Sequence, residues 1–260
     1  MYTPHGKLEI NNPDSSTIWR YMDFDKFKNM IENTSLFFCR ADKFGEKWEG
    51  SLTKKMIEKF DMEEKKIPSS DGNTYNLIEW HKLKELRSHL INCWHVNSDE
   101  SYEMWKTYVS QNDSISTTSI AIQSTINRLK NSFHKTEERI WIGEVKYIDY
   151  DILKPKNRFF NTDRPNTLEV FFLKRKEFKQ EQELRAVINQ AFVKHKSEIG
   201  INVKCDLNRL ITKIVLSPTS NEVLLINVEK IIRRFGYQFE IIKEKFCSFI
   251  EKTPEQILEE

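Results

Sequence analysis

The chain has 260 residues, of which 38% are hydrophobic and 12% aromatic, and it contains only seven glycines and seven prolines. This composition is typical of a globular domain with a sizeable core, and it excludes a disordered or low-complexity chain. Forty-one basic residues against 39 acidic ones give a net charge of +2, so any nucleic-acid partner has to be recognised by a local basic patch.

Apolar residues recur with both the helical and the strand period, which indicates a mixed architecture. The order of elements lacks the regular βαβ alternation of a doubly wound sheet, so the sequence predicts an α+β fold. We expect a single domain over 1–260, with a mixed or antiparallel β core and flanking helices. Residues 1–14 are expected to form an N-terminal extension and residues 252–260 a C-terminal tail.

The predicted elements of the first half are, in chain order, a strand at 17–22, a helix at 24–33, a strand at 35–41, a turn-rich loop at 42–51, a helix to about 60, a surface loop at 61–73, a helix at about 75–90, a strand at 91–96 and a helix at 100–109. Asp23, Ser51 and Ser98 are expected to cap the helices that follow them.

The predicted elements of the second half are strands at 114–124, 140–149, 168–173, 183–190, 200–205 and 211–217, a helix at 221–235 and a closing strand at 237–242. Gly236 follows the last helix and can supply a left-handed C-cap.

The spacing of the cysteines and the N-terminal sequence indicate the cellular compartment of the protein. The four cysteines, Cys39, Cys93, Cys205 and Cys247, are widely spaced and form no C-x-x-C pair, which favours reduced thiols. The first sixteen residues lack the apolar run of a signal peptide, and no stretch reaches the length of a membrane span. We therefore expect a cytoplasmic protein without a membrane partner.

Common catalytic motifs are missing from the sequence. It contains no phosphate loop, no G-x-G-x-x-G and no H-E-x-x-H. His81, His89, Cys93 and His95 lack a usual ligand spacing, so we predict no metal site and expect helix-surface histidines and a buried thiol. Cys93 and His95 share a strand face, which leaves a cysteine nucleophile as an alternative.

The segment CWHVNSDESYEMWKTY (93–108) concentrates aromatic, histidine and acidic residues. Within its predicted helix, Ser101, Trp105 and Tyr108 fall on one stripe. Such a stripe either packs into the core or lines a pocket for a planar ligand such as nicotinamide or adenine. On the second interpretation, His95, Trp105 and Tyr108 are candidate ligand-binding residues.

The segment KQEQELRAVINQ (179–190) places Glu181 and Glu183 two positions apart. In an extended strand both side chains leave the same face. The acids either pair with neighbouring basic residues on an exposed face or face a site where positive charge develops.

Two resemblances bear on these choices. The stretches IWRYMDF, LFFCRADKFGEKWEGS, CWHVNSDESYEMWKTY, SIAIQSTINRL and FKQEQELRAV resemble the successive motifs of a bacterial family known as domain of unknown function 2971. This resemblance covers roughly residues 15–220 and implies no activity.

The order of motifs also resembles that of ADP-ribosyltransferases of the arginine–serine–glutamate class. The arginine is Arg20, the Ser/Thr strand is Ser116-Thr117-Thr118-Ser119, and the glutamate motif is Glu181-Gln182-Glu183. The aromatic residue that usually precedes the serine motif is absent, and Ser124-Thr125 is a rival for its role. The resemblance implies NAD as substrate, a toxin or phage-defence role, and a nucleic-acid or protein acceptor.

Physical chemistry assigns roles within that hypothesis. Breaking the bond between nicotinamide and ribose builds oxocarbenium-like charge on the sugar, which a carboxylate stabilises. Glu183 would take that position, and Glu181 would position or deprotonate the acceptor. Arg20 would hold a phosphate or the ribose by forked hydrogen bonds, supported by the hydroxyls of 116–119. Alternatively, Arg20 pairs with Asp23 or Asp25 at a strand edge.

Two other functions stay open. A nucleic-acid-binding module without chemistry would use the basic patch at 174–179 and Arg233-Arg234, with Phe171, Phe172 and Phe178 stacking on bases. A metal-dependent nuclease would hold Mg²⁺ with Asp149 and Asp151, or with Glu181 and Glu183.

Overall fold

The computed structural model of the protein describes residues 1–6, 8–46, 49–59, 61–111, 114–150, 168–194 and 196–243. The predicted tail at 252–260, Cys247 and Asp151 lie outside these residues. The strands are β1 (Thr17–Asp23), β2 (Ser35–Arg40), β3 (Lys66–Pro68), β4 (Thr74–Asn76), β5 (His89–Val96), β6 (Ser110–Gln111), β7 (Ser114–Ile115), β8 (Ser119–Thr125), β9 (Trp141–Glu144), β10 (Lys146–Ile148), β11 (Leu173–Arg175), β12 (Glu183–Asn189), β13 (Gly200–Lys204), β14 (Lys213–Leu216) and β15 (Glu240–Lys243).

The helices are α1 (Phe24–Asn33), α2 (Lys54–Lys59), α3 (Leu77–Trp80), α4 (Leu86–Ser88), α5 (Tyr102–Val109), α6 (Ile126–Ser132), α7 (Leu207–Leu210) and α8 (Glu222–Arg234). A π-helical segment, His81–Glu85, joins α3 to α4. Short 3₁₀ helices occur at Ala41–Lys43, Glu169–Phe172, Lys176–Glu181 and Gln190–Phe192.

One large mixed sheet organises the fold. Seven strands follow the order β13-β2-β5-β1-β8-β14-β15, and β12 and β9 join it through β5. All neighbouring pairs in this sheet are antiparallel except β14 and β15. With helices packed on it, this sheet confirms the predicted α+β class.

Strand β5 is the branch point of the sheet. Along one edge it pairs with β12 over its whole described ladder, from His95 to His89. On the other edge, β1 pairs only at positions 95 and 96, whereas β2 pairs only at positions 90 and 91. The sheet therefore splits beside residues 92–94, where β1 and β2 diverge.

The two faces of the sheet are covered differently. The larger core includes Phe27 of α1, Leu129 of α6 and Val228 of α8, packed on one face. The opposite face carries two smaller cores, one around Phe171 and the other around Trp105. Alternation along β5 and β12 sends successive side chains to opposite faces, which decides which residues lie between the two smaller cores.

Several element boundaries agree with the sequence predictions. Asp23 caps α1 by accepting from the backbone N–H of Lys26 at 2.8 Å. Asn221 caps α8, and Gly236 takes φ +76° directly after that helix, as a left-handed C-cap requires.

Other predictions were wrong. The run 168–173 begins as a 3₁₀ helix, and 61–73 contains a strand of the β3–β4 hairpin. Thr53 rather than Ser51 caps α2, and Ser101 rather than Ser98 caps α5, because these hydroxyls lie one turn before the N–H groups they satisfy. Helix α6, capped by Thr125, was not predicted.

The N-terminal extension is docked against the sheet. Tyr2 forms a bridge with Ile140, and the backbone N–H of Glu144 donates to the carbonyl of Glu9 at 3.2 Å. In the described ranges, no helix is both long and apolar enough to cross a membrane.

Candidate active site

Polar side chains of β5 and β12 lie between the two smaller cores. Glu183 is directly opposite His95, and Arg185 is opposite Cys93, so all four side chains share one face. The alternate residues of β12, such as Leu184 and its neighbours at 186 and 188, pack into the larger core on the other face. The sheet thus carries acid, base and thiol on an otherwise apolar surface.

Three carboxylates and two cations form an ionic cluster, defined here as Glu49, Lys174, Glu181, Glu183 and Arg185. The Nζ of Lys174 lies 2.9 Å from Glu49, 2.8 Å from Glu181 and 2.7 Å from Glu183. Arg185 donates to Glu183 from Nε at 2.8 Å and from Nη2 at 3.1 Å, and its Nη2 lies 3.2 Å from Glu49.

The ionic cluster is buried. Arg185 is 0% exposed, Glu183 is 3% exposed and Glu181 is 5% exposed. The exposed strand face considered as an alternative for the two acids is therefore wrong. A buried charge network of this kind is weak evidence for stability, because desolvation offsets much of the attraction, whereas ionisable groups with perturbed pKa values gather at functional sites.

Glu181 reaches the cluster by an unexpected route. It ends the 3₁₀ helix Lys176–Glu181, and Gln182 takes φ +39° before β12 begins at Glu183. The prediction that both acids lie on one strand was wrong. Gln182, in the left-handed conformation, changes the direction of the chain between the two acids, and both carboxylates still contact Lys174.

The environments of the two carboxylates drive their pKa values apart. Burial alone would raise the pKa of Glu183, but Arg185 and Lys174 outweigh burial and lower it. Burial and the nearby charge of Glu183 raise the pKa of Glu181 despite its bond to Lys174. One acid is thus held ionised while its neighbour can exchange a proton, the pattern expected of acid and base partners.

Tyr108 covers Glu181 from α5. Its hydroxyl donates to Oε2 of Glu181 at 2.9 Å, while the residue as a whole is 44% exposed. Burial of the hydroxyl and the nearby Glu183 raise the pKa of Tyr108 well above its ordinary value. The phenol therefore stays a hydrogen-bond donor at neutral pH.

Arg20 lies beside the split in the sheet. Its Nη1 donates to the backbone carbonyl of Cys93 at 2.7 Å, at the part of β5 that neither β1 nor β2 covers. Among the described residues no carboxylate lies within ion-pair distance of its guanidinium. Burial of that group lowers the pKa of Arg20, and Tyr108 is among the groups that act on it electrostatically.

The alternative partners of Arg20 are engaged elsewhere or absent. Asp23 pairs with Lys26 at 2.7 Å besides capping α1, so the predicted Arg20–Asp23 pair was wrong. No Arg20–Asp25 pair occurs either within the described ranges. A guanidinium that is desolvated without a carboxylate is a ready anion site.

His95 is the third component of the site. Its Nδ1 lies 2.7 Å from the carbonyl oxygen of Glu181, and a carbonyl only accepts, so Nδ1 carries the proton. The Nε2 atom is buried and has no hydrogen-bond partner within the described part of the chain. Burial lowers the pKa of His95, so the ring is neutral at pH 7.

The remaining histidine and cysteine predictions have mixed outcomes. His81 and His89 are 2% and 3% exposed and stack on Phe171, so the expectation of helix-surface histidines was wrong. Burial raises the pKa of Cys93 well above its ordinary value, which argues against a thiolate nucleophile. Across the described ranges, no group of three His, Cys, Asp or Glu residues is placed to hold a metal.

The predicted Ser/Thr strand is mostly a turn. Of the four residues only Ser119 belongs to β8, where it pairs with Asp23. Ser116 and Thr118 bond to each other through their hydroxyls, and the Ser116 carbonyl accepts from Ser217 at 3.0 Å. Arg20 pairs with Ile122, about 10 Å further along the ladder, so these hydroxyls do not support Arg20.

Thr117 lies in the same turn and is exposed. The rival hydroxyl of Ser124 donates to the carbonyl of Leu210 at 2.6 Å, and Thr125 caps α6. The structure therefore brings no predicted serine or threonine side chain into contact with the ionic cluster in the described ranges.

Trp105 belongs to the core. It is 0% exposed, its indole N–H donates to Glu100 at 3.1 Å, and its ring packs edge-on against Tyr21 with centroids 4.9 Å apart. The indole packs within the smaller core that also contains Trp19 and Val109. Of the aromatic stripe on α5, only Tyr108 contacts the candidate site.

Sequence reasoning missed Glu49, Lys174 and Arg185. Arg185 carried a usable signal, because it follows Glu183 at i+2 and a charged pair at strand spacing inside an apolar run indicates burial together. Glu49 is positioned by Gly50, where φ is +68° and a Cβ would lie 2.8 Å from the Leu86 side chain. That constraint is tertiary and leaves no local signature.

A cleft of about 610 Å³ opens at the ends of β5, β9 and β12. Its wall includes Val96, Tyr147, Gln182 and Glu183, together with Asn12 from the N-terminal extension. The hydroxyl of Tyr147 accepts from the backbone N–H of Glu183 at 2.8 Å, which fixes the start of β12 at the cleft.

Comparison with known proteins gives distant structural similarity only. No family model matches the chain, so the resemblance to domain of unknown function 2971 is not confirmed. No curated protein matches it either. Among solved structures, DarT of Thermus sp. 2.9 is similar at low sequence identity.

The DarT complex with ADP-ribosylated single-stranded DNA has a TM-score of 0.40 and 11% identity, over 90% of this chain and 96% of that chain. The DarT complex with NAD⁺ has a TM-score of 0.40 and 12% identity, over 90% and 97%. The complex with carba-NAD⁺ has a TM-score of 0.38 and 10% identity, over 90% and 98%. Similarity this distant assigns no residue of this chain.

Proposed function

We propose that the protein is an NAD-dependent ADP-ribosyltransferase. The observation that carries the proposal is that a desolvated arginine and a buried carboxylate pair both lie next to Tyr108. Tyr108 connects them, because its hydroxyl bonds to Glu181 and it lies near enough to Arg20 to act on its pKa. NAD combines the two features that such a site recognises, an anionic pyrophosphate and a ribose that becomes cationic.

Glu183 is proposed to stabilise the ribose as the bond from C1′ to the nicotinamide nitrogen breaks. The electron pair of that bond goes to the pyridinium nitrogen, neutral nicotinamide leaves, and positive charge spreads over C1′ and the ring oxygen. Arg185 and Lys174 support this role by lowering the pKa of Glu183, so that the carboxylate is ionised when the charge develops.

Arg20 is proposed to bind the NAD phosphates. One of its five N–H donors is used by the carbonyl of Cys93, and the others suit the forked geometry of a phosphate. The absence of a carboxylate partner in the described ranges supports this role. Tyr108 and His95 are proposed to line the nicotinamide ribose, whereas Trp105 and Ser116–Ser119 support the fold.

Glu181 is proposed to orient the groups around the acceptor. Its raised pKa permits a proton on the carboxyl, and its backbone carbonyl fixes His95. The acceptor is proposed to be nucleic acid or a cellular protein, as for a bacterial toxin or phage-defence effector.

The alternative functions have weaker support. Phe171 and Phe172 are 0% and 3% exposed and cannot stack on bases, and Lys174 is buried in the ionic cluster. Arg233 is engaged by Glu229 at 3.0 Å. A nuclease using Glu181 and Glu183 would have to displace Lys174 from both carboxylates, and Asp149 is engaged by Lys176 at 2.8 Å.

Release of nicotinamide from NAD tests the proposal. We expect the purified protein to release nicotinamide, and we expect Glu183→Gln to reduce the rate at least a hundredfold, on the order of 3 kcal/mol in the barrier. Glu177→Gln is the matched control, because Glu177 is exposed on the preceding 3₁₀ helix. Equal rates for the two variants, or no release by the unmodified protein, contradict the proposal.

A further inference from the structure

The inference concerns the base that activates the acceptor, and it rests on the proposed function. We propose that His95 Nε2 takes the proton from the acceptor nucleophile when the ADP-ribosyl group is transferred. The acceptor is thereby limited to a group with an O–H or N–H to donate. In the step, the acceptor heteroatom bonds to C1′, its proton passes to Nε2, and the imidazolium later returns the proton to solvent.

The hydrogen bonding of His95 singles out this nitrogen. Because Nδ1 donates to the Glu181 carbonyl, Nε2 holds a lone pair directed away from that contact. This lone pair is buried without a donor in the described ranges, and the residue is 5% exposed. A buried acceptor left unsatisfied costs free energy, which a donor from the substrate would recover.

The competing base is already occupied. Oε2 of Glu181 accepts from Lys174 at 2.8 Å and from Tyr108 at 2.9 Å. Glu183 is engaged by Lys174 and twice by Arg185. Glu49 likewise lies against Lys174 and Arg185, so each carboxylate of the ionic cluster is held by cations, whereas His95 Nε2 meets neither a cation nor a donor among the described residues.

The position of His95 fits an acceptor that approaches C1′ next to Glu183. His95 lies between Trp19 on β1 and Glu183 on β12 in the ladder. The cleft reaches Val96, its chain neighbour, and Glu183, its cross-strand partner. Because His95 and Glu183 are directly opposite each other, their side chains leave the same face of the sheet, with Cβ atoms about 5 Å apart.

The charged surroundings favour a base that is neutral before the reaction and stabilised afterwards. Glu183 faces the ring from β12, the Glu181 backbone carbonyl accepts its N–H, and Trp19 brings no charge from β1. Burial keeps the resting imidazole neutral, and the Glu183 carboxylate stabilises the imidazolium that forms.

Two variants separate base catalysis from positioning. In His95→Asn the amide N–H occupies the place of Nδ1–H and can donate to the Glu181 carbonyl, but Nε2 is gone. In His95→Gln the amide reaches the place of Nε2, but the bond to Glu181 is lost. A merely structural role predicts that Asn behaves like His, whereas the proposed role predicts that Asn is defective in transfer.

The test uses methanol and 2,2,2-trifluoroethanol as competing acceptors, with ADP-ribosyl ethers counted by mass spectrometry. The more acidic alcohol needs less help from a base, so His95→Asn should raise the trifluoroethyl-to-methyl product ratio at least tenfold above that of the unmodified protein. An unchanged product ratio overturns the proposal, and absence of nicotinamide release from the unmodified protein rejects the proposed function instead.

A measurement independent of turnover completes the test. Nitrogen NMR of ¹⁵N-histidine-labelled protein, assigned with His95→Asn, should show a neutral ring with the proton on Nδ1 at pH 7. A ring protonated on Nε2 overturns the proposal even if the protein is active.

Discussion

Replacing Lys174 by methionine tests whether one cation holds the three carboxylates of the ionic cluster. The substitution keeps the length of the side chain and removes contacts of 2.7, 2.8 and 2.9 Å to Glu183, Glu181 and Glu49. Because Lys174 is 5% exposed, water cannot replace the lost ammonium. Removing one partner of a buried ion pair costs about 3–5 kcal/mol.

We expect this cost in the free energy of unfolding, measured by urea denaturation at pH 7.5. For a chain of this size, a loss of about 3–5 kcal/mol lowers the melting temperature by about 6–20 °C. Lys176→Met is the matched control two residues away, since the Lys176–Asp149 pair is exposed and should contribute little. The control should have the same melting temperature as the unmodified protein.

The stability deficit of Lys174→Met should also depend on pH. The pKa of Glu183 is lowered in the folded protein, so its contribution to stability is present above the unfolded value of about 4.3 and is lost as pH falls. Without Lys174 the carboxylates take up protons more readily, so the deficit of Lys174→Met should shrink between pH 7.5 and pH 5. A deficit equal to that of Lys176→Met, or one independent of pH, would refute this reasoning.

Three further changes have expected outcomes. Tyr108→Phe removes the donor to Glu181, so it should cost about 1–2 kcal/mol of unfolding free energy and slow nicotinamide release. No change in either quantity would contradict the assignment. Arg20→Lys keeps the charge but loses the forked hydrogen bonds of the guanidinium, so KM for NAD should rise at least tenfold with a smaller change in kcat. An unchanged KM would show that Arg20 does not bind NAD. His89 is buried and its pKa is lowered in the folded protein. The free energy of unfolding should therefore fall as the pH drops below about 6.5, the pKa of histidine in the unfolded chain, by up to about 1.4 kcal/mol per pH unit. A urea midpoint that is equal at pH 7.5 and pH 5.5 would contradict this.

Local sequence signals were sufficient to predict several helices and strands. Asp23 before one amphipathic run and Gly236 after another are capping signals that act within one turn, and each coincides with a helix end in the structure. The alternation in 183–190 correctly predicted β12, because a strand buried against a core on one face leaves a period of two.

Tertiary context decided where local signals failed. The run 168–173 has the apolar and aromatic composition of a strand, yet residues 169–172 form a 3₁₀ turn in which Phe171 fills the core under His89. The Thr-rich stretch 116–118 became a turn because β8 begins only at Ser119 opposite Asp23. Strand propensity measures fit to a half-buried surface, and neither segment is given such a surface by the fold.

The acid pair was predicted, but the residues around it were not. Glu181 and Glu183 stood out by spacing, whereas Glu49 comes from a loop more than a hundred residues earlier and meets them through Lys174 and Arg185. Spacing along a chain reports neighbours within one element. Partners brought together by sheet topology leave no such record.

The isotope effect at C1′ tests the central claim most directly, that a carboxylate at Glu183 stabilises a ribose becoming cationic. Nicotinamide release should be compared for NAD carrying tritium or hydrogen at C1′ of the nicotinamide ribose. The proposal predicts slower release with tritium, a normal secondary isotope effect clearly above unity. The reason is that bending of the C1′–H bond becomes easier as C1′ turns planar in an oxocarbenium-like transition state. Absence of release, or an effect of unity together with a rate indifferent to Glu183→Gln, would contradict it.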